Sequence, residues 1–322
     1  MDSVLSPDFR PTQGKGAATV LERIGNTPLA HLEGVWCKLE FLNPSGSIKA
    51  RIAKHIIERA EEAGQLRPGD TIVEASSGNT GNAMAMVAAV KGYRMLVVQP
   101  VGISSERLAL SRALGAEVME VGDFHVNEAL ARAQELGETE GYFCPRQFAS
   151  EWNVEENRTW LGPEILHQLP EGAVPDAVVA GIGTGGTLVG LGQAFRAVNP
   201  DCLVVGVEPT ESRTIATGAV GRHQIEGISD GFVPQILQDH RDEVDYLLAV
   251  PSAEAVSEMR RIAQQHGCFV GPSSGAHLLA AKKLQRDRPE LKTVVTLFCD
   301  GGEKYFSEHF LSAAVQGSES GG

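Results

Sequence analysis

The chain has 322 residues, 42% hydrophobic and 21% charged, with a formal net charge of −13. That length suits one large domain or two closely packed ones. The acid excess, with Lys and Arg spread along the whole chain, argues against a nucleic-acid partner, and no apolar run approaches the roughly 20 residues that span a bilayer. The N-terminus, Met1-Asp2-Ser3-Val4-Leu5, has no basic stretch followed by an apolar one, so it does not resemble a secretory signal and the cytoplasm is the expected compartment. Cys37, Cys144, Cys202, Cys268 and Cys299 are scattered and free of C-x-x-C spacing. They predict buried free thiols, with neither a disulfide framework nor a metal site.

The first informative segment is Asn43-Pro44-Ser45-Gly46-Ser47-Ile48-Lys49-Ala50-Arg51. Ile48, Ile52 and Ile56 recur at four-residue spacing beside Ala53, Ile57 and Ala60, the stripe of a helix that faces a core. Ser45 or Ser47 is the expected N-cap, which sets Lys49 beside the positive end of the helix dipole. A cation there is disfavoured by about 0.3–1 kcal/mol at exposed sites. Either the amine reaches solvent, or it is converted to a Schiff base with an anionic cofactor. Beyond it, β-branched runs at 71–75, 95–99, 117–121, 177–182, 203–208, 246–250 and 293–298 alternate with helical periodicity at 105–114, 126–136, 253–266 and 275–286. This alternation predicts a doubly wound α/β fold of parallel sheet and crossover helices. The aromatic, polar stretch at 145–157 breaks the pattern and marks a domain boundary. The tail at 311–322, poor in large apolar side chains, is expected to be disordered.

Two loops, Ser76-Ser77-Gly78-Asn79-Thr80-Gly81 and Gly183-Thr184-Gly185-Gly186-Thr187, each follow an apolar run and precede a helical one. In that setting backbone N–H groups converge on an anion, and one lysine with two such cradles points to a phosphorylated aldehyde cofactor. A rival reading takes Gly181-Ile182-Gly183-Thr184-Gly185-Gly186 as G-x-G-x-x-G after a strand, with Glu208 placed for a ribose. It makes the protein an NAD-dependent dehydrogenase. Against it, Gly181 lies inside the strand run, the 183–187 loop with its two hydroxyls suits a single terminal phosphate, and the Lys49 and Asn79 segments go unexplained. The same glycines also suit a helix that merely packs close on its sheet.

Together with Ile24-Gly25-Asn26-Thr27-Pro28-Leu29, Gly271-Pro272-Ser273-Ser274-Gly275 and Asp300-Gly301-Gly302-Glu303-Lys304-Tyr305, these motifs resemble the cysteine synthase and cystathionine β-synthase family of pyridoxal 5'-phosphate (PLP) enzymes. The resemblance implies PLP fold type II, like the tryptophan synthase β-subunit, with two doubly wound, parallel-type sheets. Residues 1–42 and 153–322 would form a larger cofactor-binding domain and 43–152 a smaller mobile one. By the same resemblance Lys49 holds PLP and acts as base on the substrate α-proton. Gly183, Thr184, Gly185, Gly186 and Thr187 would cradle the phosphate, Asn79 bond the ring 3-hydroxyl, and Ser273 face the pyridine nitrogen. Ser76, Ser77, Gly78, Thr80, Gln147 and Gly227 match substrate-binding positions.

A serine at the ring nitrogen, unlike an aspartate, does not force protonation there. That favours β-elimination to an aminoacrylate and addition of a nucleophile: O-acetyl-L-serine plus sulfide giving L-cysteine and acetate. Cystathionine or diaminopropionate synthesis from serine or phosphoserine is the alternative. A homodimer and, as a possible partner, serine acetyltransferase are implied as well. The chain departs from the family at Ala50, where aspartate is usual, and at Trp160-Leu161, in place of paired threonines. It departs again at Ser229-Asp230, where small residues are usual, and Asp230 either selects an amino-bearing substrate or faces solvent.

Overall fold

The computed structural model describes residues 17–76, 78–102, 105–122 and 126–311; Ser77 and the tail at 312–322 lie outside them. The strands are β1 (Leu29–Leu32), β2 (Val35–Leu39), β3 (Thr71–Ala75), β4 (Arg94–Pro100), β5 (Glu117–Val121), β6 (Tyr142–Phe143), β7 (Ala177–Gly181), β8 (Leu203–Pro209), β9 (Tyr246–Val250) and β10 (Val294–Phe298). They form two sheets, ordered β1-β2-β10-β7-β8-β9 and β5-β4-β3-β6. Every pairing is parallel except that of β1 with β2. That antiparallel pair is a hairpin whose two turn residues, Glu33 and Gly34, both take positive φ, as a type I′ turn requires.

The parallel strands read as near-continuous apolar runs because both faces of each sheet are covered. In the four-stranded unit, α1 (Lys49–Glu62) and α2 (Asn79–Lys91) close one face and α3 (Ser105–Ala113) follows β4. On the other face Val126, Ala129 and Ala133 of α4 (Val126–Gly137) meet Val73, Ala75, Leu96 and Val98. Leu21 and Ile24 pack into the α1–α2 core, whereas β1 and β2 belong to the six-stranded sheet. The chain crosses between the units through α5 (Glu151–Glu156), a wide π-helical turn at Asn157–Leu161, and α6 (Gly162–Gln168). One face of the six-stranded sheet packs on α6 and α7 (Gly186–Arg196), the other on α10 (Ser252–His266) and α11 (Pro272–Asp287); the short α8 (Thr214–Thr217) and α9 (Gln235–Asp239) lie between α7 and α10 in sequence.

Both glycine-rich loops fall at carboxyl ends of parallel strands, one between β3 and α2 and the other between β7 and α7. Ligands of open α/β sheets bind at those ends. Lys49 is brought there because its approach segment is tied to the end of β10: Ile48 N–H donates to Cys299 O at 2.8 Å, and Ser47 bridges Asp300.

Candidate active site

A cavity opens between the two sheets, and its wall includes Lys49, Ser76, Gly78, Asn79, Thr80, Gln147, Gly183, Thr184, Gly185, Thr187, Gly227 and Ser273. Of the residues singled out by motif, Gly186 is not on this wall and Ser77 lies outside the described residues. Lys49 opens α1. Ile48, just before it, already has helical dihedrals and caps nothing with its side chain, so the capping hydroxyl comes from Ser47. Ser47 accepts the Lys49 backbone N–H on Oγ at 3.3 Å. Burial pushes the Lys49 amine below the ordinary lysine value, against the pull of acids that include Asp230 and Asp300.

At the second glycine loop, Gly185 takes φ +87° at the N-cap of α7, a conformation that disfavours any side chain. A Cβ on Gly183 would stand 2.5 Å from the Gly227 carbonyl, so the loop presses directly on the 227–230 segment of the wall. Gly186 has a different duty. A Cβ there would stand 2.2 Å from Asn153 Oδ1, and its N–H donates to Thr184 Oγ1 at 3.3 Å. At the first loop, Ser76 Oγ accepts the N–H groups of Gly78 and Gly81 at 3.1 and 2.9 Å. Thr80 Oγ1 donates to Gln147 Oε1 at 2.7 Å, and Gln147 Nε2 donates to Ala75 O at 2.8 Å, which leaves its second amide proton for a ligand.

His277 is a wall residue with no motif signal of its own. It accepts the Gly181 N–H on Nε2 at 2.7 Å, and its Nδ1 meets Leu297 O at 2.8 Å. An N–H can only donate and a carbonyl only accept, so the ring is the neutral Nδ1–H tautomer; burial accordingly pushes its pKa down to about 4. Asn79 is clamped: its Nδ2 donates to Asp300 Oδ2 at 2.6 Å and its Oδ1 accepts from Lys304 Nζ at 2.7 Å. Tyr305 OH also donates to Asp300. At the mouth, Glu226, Glu308 and His309 cluster with ligand-capable atoms within 4.8 Å of one another. Arg107 pairs with Glu308 at 2.8 Å, and His309 with Glu226 at 3.3 Å. All five cysteines are free; Cys37 and Cys202 are buried, and Cys299 reaches the cavity wall.

The departures at 50 and 160 meet in a buried charge cluster beneath α1. Arg51 is fully buried and pairs with Glu40 at 2.7 Å and Glu164 at 2.7 Å. Lys38 also reaches Glu164. Burial alone would raise the Glu164 pKa, but Arg51 and Lys38 hold it down at about 2. Arg51 therefore has its carboxylates without one at Ala50, and Trp160 lies 5.4 Å from its guanidinium across the ring face. Glu156 sits 4.0 Å from Arg51, with neither oxygen hydrogen-bonded; burial raises it to about 8.

A family model described as pyridoxal-phosphate dependent enzyme matches residues 20–300. The chain belongs to that family. It is similar to a cysteine synthase of Staphylococcus aureus, 40% identical over 302 residues that cover 91% of this chain and 96% of the relative. Among solved structures it resembles O-ureido-L-serine synthase, with a TM-score of 0.85 at 36% identity and coverage of 94% and 96% of the two chains. It also resembles an O-acetylserine-dependent cystathionine β-synthase from Helicobacter pylori, with a TM-score of 0.85 at 32% identity and coverage of 92% and 99%. The protein is thus a PLP-dependent enzyme of the cysteine synthase type, built on fold type II.

The wall fits the cofactor of this PLP enzyme: an amine whose charge burial disfavours, a glycine cup at a helix N-terminus, and a serine hydroxyl at the head of α11. The nicotinamide reading finds no support. A Cβ at Gly181 would collide with Ile228 and His277, so that glycine serves packing, as Gly186 does. Glu208 Oε2 accepts the Ile215 and Ala216 N–H groups, an anchor for α8.

Proposed function

We propose that this enzyme replaces the β-substituent of O-acetyl-L-serine with sulfide, giving L-cysteine and acetate. The observation that carries the proposal is that Lys49, the Ser76–Thr80–Gln147 donor set and the 183–187 cup open on one cavity. Bound PLP withdraws electrons from the substrate α-carbon. Lys49 carries the cofactor, and its Nζ then takes the α-proton, a role helped by burial that favours the neutral amine. Gln147 Nε2, the Ser76 segment and the Thr80 backbone N–H orient the substrate carboxylate, while Gly183, Thr184, Gly185 and Thr187 hold the phosphate. Asn79, clamped by Asp300 and Lys304, retains one amide proton for the ring 3-hydroxyl. Ser273 offers a neutral hydroxyl to the ring nitrogen.

A second reading concerns the acceptor. Asp230 stands on the cavity wall, where burial raises its pKa against the pull of His223 and Lys49, and this position supports a role in the site. A carboxylate there suits an acceptor that arrives with N–H groups or positive charge, as in diaminopropionate synthesis. Residues 43–152 act as the smaller, moving unit and the enzyme works as a homodimer, both in keeping with the family resemblance; serine acetyltransferase remains the partner that resemblance implies. Five free thiols suit a reducing compartment such as the cytoplasm; among the described residues no helix is long and apolar enough to cross a membrane.

The test is product analysis with O-acetylserine and either sulfide or ammonia. The proposal expects cysteine, formed faster with sulfide; diaminopropionate as the main product would install the second reading, and neither product would sink both.

A further inference from the structure

Asn153 lies at the start of α5, in the segment that joins the two units, and is 1% exposed. Its Nδ2 donates to Gln147 O at 3.0 Å and to Thr184 Oγ1 at 3.0 Å. The orientation of this amide is dictated by its neighbours. Gln147 O is a carbonyl and can only accept. Asn157 Nδ2 approaches the other end, donating to Asn153 Oδ1 at 3.3 Å and to Asn153 O at 2.8 Å. The NH2 group therefore faces Gln147 and Thr184, and both of its protons are used.

The consequence falls on Thr184. Its hydroxyl oxygen accepts from Asn153 Nδ2 and from the Gly186 N–H at 3.3 Å, which fills both lone pairs. What remains is its proton, on a side chain that lines the cavity beside Gly183 and Gly185. A hydroxyl in that state donates and cannot accept. Gly186 belongs to the same arrangement, since any side chain there would displace the Asn153 amide. Through Gln147, whose side chain holds Thr80, the run also ties the first glycine loop to the second.

We propose that Asn153 is a positioning residue for the phosphate cup, acting through Thr184 by fixing its hydroxyl as a donor toward an anion. This rests on the reading of the 183–187 loop as the PLP phosphate site. A neutral hydrogen bond to a charged acceptor is worth about 1.5–3 kcal/mol, so its loss corresponds to a weakening of about 10- to 100-fold.

The experiment titrates apoenzyme with PLP and, separately, with pyridoxal, which lacks the phosphate, following the absorbance of the bound cofactor. Asn153→Ala and Asn153→Asp are compared with wild type, each alone and combined with Thr184→Val, and circular dichroism checks folding. Asn153→Ala is expected to weaken PLP binding about tenfold and Asn153→Asp more, because a carboxylate recruits the Thr184 proton for itself; pyridoxal binding should change less than about twofold. In the Thr184→Val background the Asn153 substitutions should add little, since the group they act through is gone. Losses that multiply in the double variants, or that are equal for PLP and pyridoxal, would overturn the proposal and leave Asn153 a structural residue. If wild type bound pyridoxal as tightly as PLP, the phosphate assignment of the loop would fail instead.

Discussion

Asp230 reaches the cavity from a loop that holds Ser229 at φ +55°, a conformation that costs a non-glycine residue about 1–3 kcal/mol unless its surroundings enforce it. They do. Ser229 N–H donates to Ile182 O at 2.9 Å, its hydroxyl donates to Ser212 O at 2.9 Å, and its carbonyl lies 3.1 Å from His223 Nε2. Strain held in place by three partners next to a wall carboxylate supports the proposed acceptor role of Asp230. Asp230→Asn should therefore raise kcat/KM for anionic sulfide a few-fold, by removing like charge, and lower it about tenfold for an amine acceptor. Equal changes for the two acceptors would contradict the assignment. At this scale Lys49, Ser273 and the cup were legible because each sits inside a short contiguous motif. Asn153 and His277 were not, and Asn79, Asp300 and Lys304 sit in motifs that gave no sign of their clamp, since these roles come from hydrogen bonds between segments far apart in the chain.

Among elements, β3, β5 and β9 run over the residues that β-branched runs foretold, and α10 and α11 start within three residues of their periodic stretches. The β1–β2 hairpin and β6 left no comparable pattern: the first two strands carry His31, Trp36 and Lys38 in place of an apolar run, and β6 is only Tyr142–Phe143. The charge cluster under α1 was equally hidden, because Lys38, Glu40, Arg51, Glu156 and Glu164 look like solvated residues until the fold buries them. Its energetics give a prediction. Burial raises Glu156 to about 8, above the ordinary carboxylate value, so the folded state keeps a proton that the unfolded chain releases. The stability this contributes is present below about pH 4.5 and is lost as pH rises toward 8. Glu156→Gln should flatten the fall in unfolding free energy between pH 5.5 and 8.5, and at pH 8.5 the variant should be more stable by on the order of 1 kcal/mol. Denaturant titrations at the two pH values check this; an unchanged slope would contradict it. Glu74, raised to about 7 by burial on β3, contributes in the same sense and stays in both proteins.

At the scale of the molecule, two doubly wound sheets meet with their carboxyl strand ends around one cavity, and the groups of the site come from both. Lys49, Asn79 and Gln147 lie in the part of the chain that holds the four-stranded sheet; the 183–187 cup and Ser273 lie with the six-stranded one. The alternation of strands and helices made this fold class readable, whereas the stitch between Ile48 and Cys299 that carries Lys49 to the carboxyl end of β10 depends on tertiary contact and left no local trace. The account stands or falls on Lys49. Borohydride reduction of the PLP-loaded enzyme, followed by peptide mass mapping, should place the cofactor on Lys49, and Lys49→Ala should lose both the label and at least about 10³-fold of turnover. A label on another lysine, or full turnover in Lys49→Ala, would contradict it.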